Sequence, residues 1–80
     1  MRPIVKMILD LRDIVPGEHQ SQVAYVFHQL TSGESILLVN DHDPKPLLSQ
    51  FRSVLGDRFF WDYLQAGPKI WQVQIGLVVT

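Results

Sequence analysis

The sequence contains no cysteine. Without a thiol the chain can form no disulfide, no persulfide, no cysteine nucleophile and no all-cysteine metal site. The net charge is also small, because seven Lys and Arg residues nearly balance eight Asp and Glu residues and leave a net charge of −1. Such a balance gives no electrostatic footprint for nucleic acid or for an anionic membrane surface. We therefore expect neither of these as a partner.

Long apolar runs are missing too. The first eleven residues are fairly apolar, but charged residues and a proline interrupt them. No run approaches the roughly 20 apolar residues that a membrane span needs. The chain has no internal repeat, no low-complexity stretch and no interdomain linker. We therefore predict a soluble, cytoplasmic protein that folds as one domain over residues 1–80.

The first half of the chain alternates apolar runs with turn residues. The run from Val5 to Leu11 predicts a first strand. After Pro16-Gly17-Glu18, apolar residues recur at helical spacing until Thr31-Ser32-Gly33, which predicts a first helix. The run from Ser35 to Val39 is apolar on both faces, as is typical of a central parallel strand. The helical stripe consists of Val23, Val26, Phe27 and Leu30.

The next segment predicts a second helix. Asp43 can accept hydrogen bonds from the free backbone amides of a helix N-terminus, and Pro44 suits the first helical position. Gly56 is well placed to end this helix. The apolar stripe between these points consists of Leu47 or Leu48, Phe51, Val54 and Leu55.

The remaining residues alternate between apolar and polar types, which predicts two strands. The third strand runs from Phe59 to Leu64 and the fourth from Trp71 to Leu77. The turn Gln65-Ala66-Gly67-Pro68 joins them, so they should pair antiparallel. The protein is expected to be a monomer or a weak dimer, and the apolar end Leu77-Val78-Val79 is the candidate dimer contact.

The element order is therefore β-α-β-α-β-β. Right-handed crossovers place both helices on one face of a four-stranded mixed sheet, which predicts a two-layer α/β (α+β) sandwich. The expected core consists of Leu9, Leu11, Val23, Phe27, Leu30, Leu38, Phe51, Val54, Leu55, Val73 and Ile75.

A binding site is expected where the parallel strands end, because ligands of α/β sheets favour the carboxyl edge. The two loops there are Asp10 to Glu18 and Asn40 to Pro44. Two helix N-termini at this edge suit an anion or an acidic partner. The candidate residues for binding a ligand or a partner protein are Asp10, Arg12, His42, Asp43 and Lys45. A purely structural interpretation also fits, with Asp43 as a helix cap and Asp10 paired to Arg12.

Histidines offer an alternative site. His42 lies between two aspartates and could carry a proton or bind a metal. His19, across the same edge, would complete a mixed His and carboxylate set for Zn, Fe or Mn. No short-range His-x-x-x-His or Glu-x-x-His pair supports this, so we expect no metal and no cofactor as the first interpretation. His28 falls on the polar side of the first helix and should face solvent.

Two further functions, nucleic-acid binding and catalysis, have little support in the sequence. Phe59, Phe60, Trp61, Tyr63 and Trp71 could stack on single-stranded bases, but few basic residues lie between them. Core packing therefore explains these aromatics better. The sequence contains no nucleophile elbow, phosphate loop or Ser-His-Asp order, so we do not expect an enzyme.

Several segments together match a known pattern. They are Leu9-Asp10-Leu11-Arg12, Gly33-Glu34-Ser35, Val39 to Leu47, Gln50-Phe51, Trp61-Asp62-Tyr63-Leu64, Gly67-Pro68 and Trp71-Gln72-Val73. This set, from about Leu9 to Ile75, resembles the bacterial domain-of-unknown-function 2249 family. The resemblance implies a fold related to the TusA/SirA sulfur carriers, with strand order 1-2-4-3. It also implies an association with hemerythrin-like domains and with bacterial redox or nitrogen-oxide settings.

Two departures from the related patterns limit what the resemblance implies. Sulfur carriers have a Cys-Pro motif after the first strand, whereas this chain has Ile14-Val15-Pro16-Gly17. A persulfide needs a thiolate, so this chain cannot relay sulfur in that way. Members of the closer family often have an Arg-His pair early in the first helix, where this chain has His19-Gln20.

The function predicted from the sequence is therefore that of a non-enzymatic accessory domain. It would bind a partner protein or a small anion at the carboxyl edge of the sheet. The alternative is a metal- or haem-associated redox accessory domain that uses His42.

Overall fold

The computed structural model describes residues 3–78. The elements follow the expected order of strands and helices, with two short 3₁₀ turns, Leu11–Asp13 and Pro16–Glu18, before the first helix. The strands and helices are β1 (Ile4–Asp10), α1 (His19–Phe27), β2 (Glu34–Asn40), α2 (Lys45–Leu55), β3 (Phe59–Ala66) and β4 (Trp71–Leu77). Val79, part of the apolar end considered for a dimer, lies outside the described residues.

The four strands form one mixed sheet in the order β1-β2-β4-β3. β1 pairs parallel with β2, whereas β4 pairs antiparallel with both β2 and β3. Leu9 lies opposite Leu38, and Leu38 lies opposite Val73, so one row of apolar side chains crosses three strands. The α/β class, the mixed sheet and the expected strand order are confirmed.

The core lies between this face of the sheet and the two helices. Both helices, β2, β3, β4 and the connecting segments contribute buried residues to it: Leu11, Val23, Val26, Phe27, Leu30, Ile36, Leu38, Leu47, Phe51, Phe59, Val73 and Ile75. Phe51 sits near its centre, with its ring centroid 5.2 Å from Phe27 and 5.7 Å from Phe59. Leu9 and Leu55, also expected in the core, are partly buried against it.

The placement of Val54 in the core was wrong. Its side chain is 71% exposed and lies at a groove of about 150 Å³ between the two helices, floored by Phe27 and Phe51. Phe51 and Leu55, on the apolar stripe of α2, face the sheet. Val54, three residues after Phe51, faces a gap that α1 does not close.

The turn between β3 and β4 begins later than expected. Gln65 and Ala66 continue β3, and the chain reverses at Gly67. Gly67 has a φ of 71°, and a Cβ there would lie 2.9 Å from the Trp71 ring. Only glycine tolerates both the positive φ and this close approach, so the chain reverses at Gly67 and not earlier.

Among residues 3–78, no helix has the length and apolar character needed to cross a membrane.

Candidate binding cleft

The carboxyl ends of β1 and β2 lie side by side, because Asp10 is the register partner of Val39. Two loops leave this edge, which we call the first loop (residues 11–18) and the second loop (residues 41–44). The expected meeting of the two loops at one edge is therefore observed. What each loop does with its polar side chains differs.

The first loop is closed by a bidentate ion pair. Asp10 Oδ1 accepts from the Arg12 backbone N–H at 3.1 Å and from Arg12 Nε at 2.9 Å, and Oδ2 accepts from Nη2 at 2.7 Å. The hydrogen bond from Arg12 lowers the pKa of Asp10. The same pairing raises the pKa of Arg12, to which the nearby Asp13 and Asp41 also contribute. The Arg12 charge is therefore balanced within the protein.

In the second loop, Asp43 does not cap α2, so that expectation was wrong. The N-cap residue is Pro44, and no side chain within residues 3–78 caps the helix by a hydrogen bond. Asp43 Oδ1 instead accepts from the Tyr63 hydroxyl at 2.7 Å, which links the loop to β3. Desolvation, followed by the hydrogen bond to Asp43, raises the pKa of Tyr63. A phenol bonded to a carboxylate gives up its proton less readily, which accounts for the second contribution.

His42 is oriented by its neighbour. Its Nδ1 lies 2.7 Å from Asp41 Oδ1, and this hydrogen bond lowers the pKa of Asp41. An ionised carboxylate can only accept, so Nδ1 carries the hydrogen. Nε2 of His42 then has no protein partner in the described part of the chain.

His19 is oriented in a comparable way from the other side. Its Nε2 lies 2.9 Å from the carbonyl oxygen of Ile14. A carbonyl also only accepts, so Nε2 carries the hydrogen and Nδ1 is left without a protein partner among residues 3–78. Each histidine therefore uses one ring nitrogen to hold its position.

Both histidines line one cleft of about 390 Å³ at the start of the two helices. Prolines and Leu47 form its apolar walls, whereas amide side chains and the two imidazoles supply its polar groups. No carboxylate is among the lining residues, which are Pro16, Gly17, His19, Gln20, Asn40, His42, Pro44, Pro46, Leu47 and Gln50.

Asn40 is the most deeply placed polar group of the cleft. It is the last residue of β2 and is only 2% exposed. Its Oδ1 accepts from the Asp41 backbone N–H at 2.9 Å, and this is the one side-chain hydrogen bond it makes within residues 3–78. The two hydrogens of Nδ2 are therefore available to the cleft that Asn40 lines.

The predicted site residues are thus only partly brought together. His42, and His19 from the metal alternative, line the cleft, whereas Asp10, Arg12, Asp43 and Lys45 do not. Lys45 is the exposed first residue of α2, directly after the lining residue Pro44. Sequence reasoning missed Asn40. Its signal was a polar residue at the end of an otherwise apolar strand, where a buried amide needs partners.

The residues described contain no group of three or more His, Cys, Asp or Glu side chains arranged to hold a metal ion. The two cleft histidines are the nitrogen ligands that line the cleft. The carboxylates of Asp10, Asp41 and Asp43 are already engaged by Arg12, His42 and Tyr63.

Fold and cleft together define a class: a small α+β domain with two helices on a four-stranded mixed sheet and a recess at its carboxyl edge. The chain belongs to the family of uncharacterized conserved proteins called DUF2249, whose model matches residues 8–76. No curated protein and no solved structure matches the chain.

Proposed function

We propose that this domain binds an anionic group in the cleft between His19 and His42, without chemical conversion of the ligand. The observation that carries the proposal is the Asn40 amide, whose two Nδ2 hydrogens bond no protein group within residues 3–78 and face a cleft lined by no carboxylate. Asn40 Nδ2 is not among the fully buried unpartnered atoms of the described residues, so it is open to the cleft and can donate to a ligand partner there. An anion supplies the strongest such partner, because hydrogen bonds to charged acceptors are about twice as strong as neutral ones.

The start of α2 supports the same ligand class. Among the described residues no side chain caps this helix, so the few backbone N–H groups of its first turn, which Pro44 and Pro46 lack, can take another acceptor. Such amides and the helix dipole favour a carboxylate or phosphate. The histidine nitrogens that face no protein group add donors when the rings are protonated. None of the lining residues is a serine, threonine, lysine or acid, which supports a binding role over a catalytic one.

The biological setting rests on the family and on the sequence resemblance. We place the domain as a cytoplasmic bacterial accessory domain, related in fold to the sulfur carriers but without their thiol. A free metabolite or the chain end of a partner protein, including a hemerythrin-like one, could carry the anionic group. Both sources present the same chemistry to the cleft.

The test is an NMR titration of the protein with inorganic phosphate and with acetate. We expect shifts in the Asn40 side-chain amide and in the His19 and His42 rings, but not in the His28 ring, which lies outside the cleft. A peptide with a free C-terminal carboxylate, compared with its amidated form, tests the partner-protein source.

The sharpest variant is Asn40→Asp. It keeps the side-chain volume and the acceptor for the Asp41 amide, but it replaces the donor by a second negative oxygen. We expect phosphate affinity to fall roughly tenfold to a hundredfold. Gln29→Glu makes the same chemical change at an exposed position and should leave affinity unchanged. Equal affinity in wild type and Asn40→Asp would refute the proposal.

A second candidate function is the metal- or haem-associated redox accessory domain. One observation favours it: each cleft histidine donates one ring nitrogen to a carboxylate or carbonyl, as metal-bound histidines usually do. Metal binding requires the neutral ring, so Zn²⁺ affinity should fall on acidification and should be lost in His42→Gln. Phosphate binding centred on the Asn40 amide should instead survive His42→Gln, because that amide is unchanged. The effect of His42→Gln therefore separates the two functions.

A further inference from the structure

The edge strand β1 carries the densest group of exposed apolar side chains among the described residues. The exposed fractions are 70% for Ile4, 41% for Val5, 46% for Met7 and 64% for Ile8. Single exposed apolar residues are common on protein surfaces, but a contiguous set along one strand is a typical mark of an interaction surface.

These side chains lie on both faces of the sheet. Met7 is the register partner of the core residue Ile36 and shares its helix-side face, whereas Ile8 is the partner of Leu37 on the opposite face. An edge that is apolar on both faces fits another strand placed in the plane of the sheet better than it fits a layer on one face.

The charged residues of β1 are each paired with a residue of the same chain. Lys6 Nζ lies 3.5 Å from Glu34 Oε1 of β2, and Asp10 is paired with Arg12. The other edge strand, β3, differs, because it carries the exposed carboxylate of Asp62, which makes no ion pair within residues 3–78. A free charge on an edge strand opposes strand addition, and β1 lacks one.

We propose that β1 pairs antiparallel with β1 of a second copy of this chain, which forms a two-fold dimer with a continuous sheet. The edge is neutral and apolar, so its partner must be a neutral strand that is apolar on both faces. β1 itself meets that description. In the dimer both remaining outer edges are β3, so assembly stops at two copies.

The irregularity in β1 makes the strand complementary to itself. The register with β2 shifts between Val5 and Met7, so Val5 and Ile8 share one face although they are three residues apart. A two-fold axis between Lys6 and Met7 then places Val5 of each copy opposite Ile8 of the other. The same axis places Ile4 opposite Leu9 on the helix side. One apolar pair therefore forms on each face, while Lys6 of each copy lies opposite Met7 of the other next to the axis.

The test is sedimentation equilibrium of the purified chain over a wide concentration range. We expect a reversible monomer–dimer equilibrium, and Ile8→Lys should raise the dimer dissociation constant at least about tenfold. Val54→Lys makes a matched change at a side chain that is 71% exposed on α2 and should leave the constant unchanged. Hydrogen exchange of the β1 amides should slow as concentration rises.

Three results would overturn the proposal. They are a monomer at every concentration, an equal effect of Ile8→Lys and Val54→Lys, and growth beyond the dimer. Circular dichroism of both variants checks folding, since the replaced side chains are exposed. Phosphate binding in the cleft is independent of all these outcomes.

Discussion

The two loops at the carboxyl edge of the sheet both carry charged side chains but engage them differently. The first loop follows Asp10, contains Arg12, and binds these two charges to each other. The second loop directs Asp43 outward to Tyr63 and leaves Asn40 and the uncapped start of α2 facing the cleft. Of two loops that leave adjacent strand ends, one therefore pairs its arginine internally, whereas the other borders hydrogen-bond donors that remain free.

The number of charged residues in a loop therefore does not predict whether that loop can bind an anion. An arginine already held by a carboxylate at 2.7 Å must lose that partner before it can bind an anion, whereas a free amide loses nothing. Asn40 and the free backbone N–H groups at the start of α2 are for this reason better candidates for binding an anion than Arg12. Five predictions test this comparison.

The largest effect should come from the leucines that anchor the loops in the core. Leu11 at the first loop is 1% exposed, and Leu47 at the second is 6% exposed. Replacing either by Ala should lower the free energy of unfolding by about 2–5 kcal/mol, measured by urea denaturation. Leu64→Ala, at a side chain that is 52% exposed, is the control. A loss below about 1 kcal/mol for Leu47 alone would show that the second loop is loosely held.

The next effect concerns the role of Asp43. Asp43→Ala and Tyr63→Phe should each destabilise the protein by about 0.5–1.5 kcal/mol, and the double variant should cost little more than either one. Asp43→Asn keeps an acceptor and should retain most of the stability. If Asp43 were a helix cap, Tyr63→Phe would be nearly neutral, so the double-mutant cycle separates the two roles.

The Asp43 contact should also appear in the titration of Tyr63. Its pKa is raised, first by desolvation and then by Asp43, so its contribution to stability is present below the unfolded pKa. That contribution is lost as pH rises through the folded value. In a Tyr25→Phe background, near-ultraviolet absorbance should show that Asp43→Ala moves the Tyr63 pKa downward. An unchanged titration would contradict the contact.

A smaller effect is expected on anion binding at the rim of the cleft. Lys45→Ala should weaken phosphate binding about two- to fivefold, more strongly at low salt, because Lys45 starts the uncapped helix. Arg12→Ala should leave phosphate affinity unchanged, since Arg12 is engaged by Asp10. Calorimetric titration of both variants checks this. A larger effect of Arg12→Ala would reverse the comparison of the two loops.

The smallest effect belongs to the first loop's ion pair. The pKa of Asp10 is lowered, so the pair stabilises the fold above the unfolded carboxylate pKa and loses this contribution as pH falls through the folded value. Thermal melting should show a slightly less stable Asp10→Asn at neutral pH. The difference from wild type should vanish in acid, and a difference that persists there would contradict the pairing.

Much of the fold could be predicted from local patterns. Helical and alternating spacing located all six strands and helices to within a few residues, because apolar periodicity reports directly which side of an element is buried. The family and its strand order followed from motifs that span nearly the whole chain. The absence of cysteine alone excluded sulfur transfer by a persulfide.

The cleft, in contrast, depended on contacts between distant residues. Tyr63 lies twenty residues after Asp43, and no local pattern favoured that bond over a helix cap. Val54 fits the buried stripe of α2, but the gap between the helices exposes it. Asn40 shows the same limit, because its burial depends on how β2 meets both helix starts. A sequence specifies which side chains an element offers, whereas the packing of elements decides which polar groups find partners and which stay free.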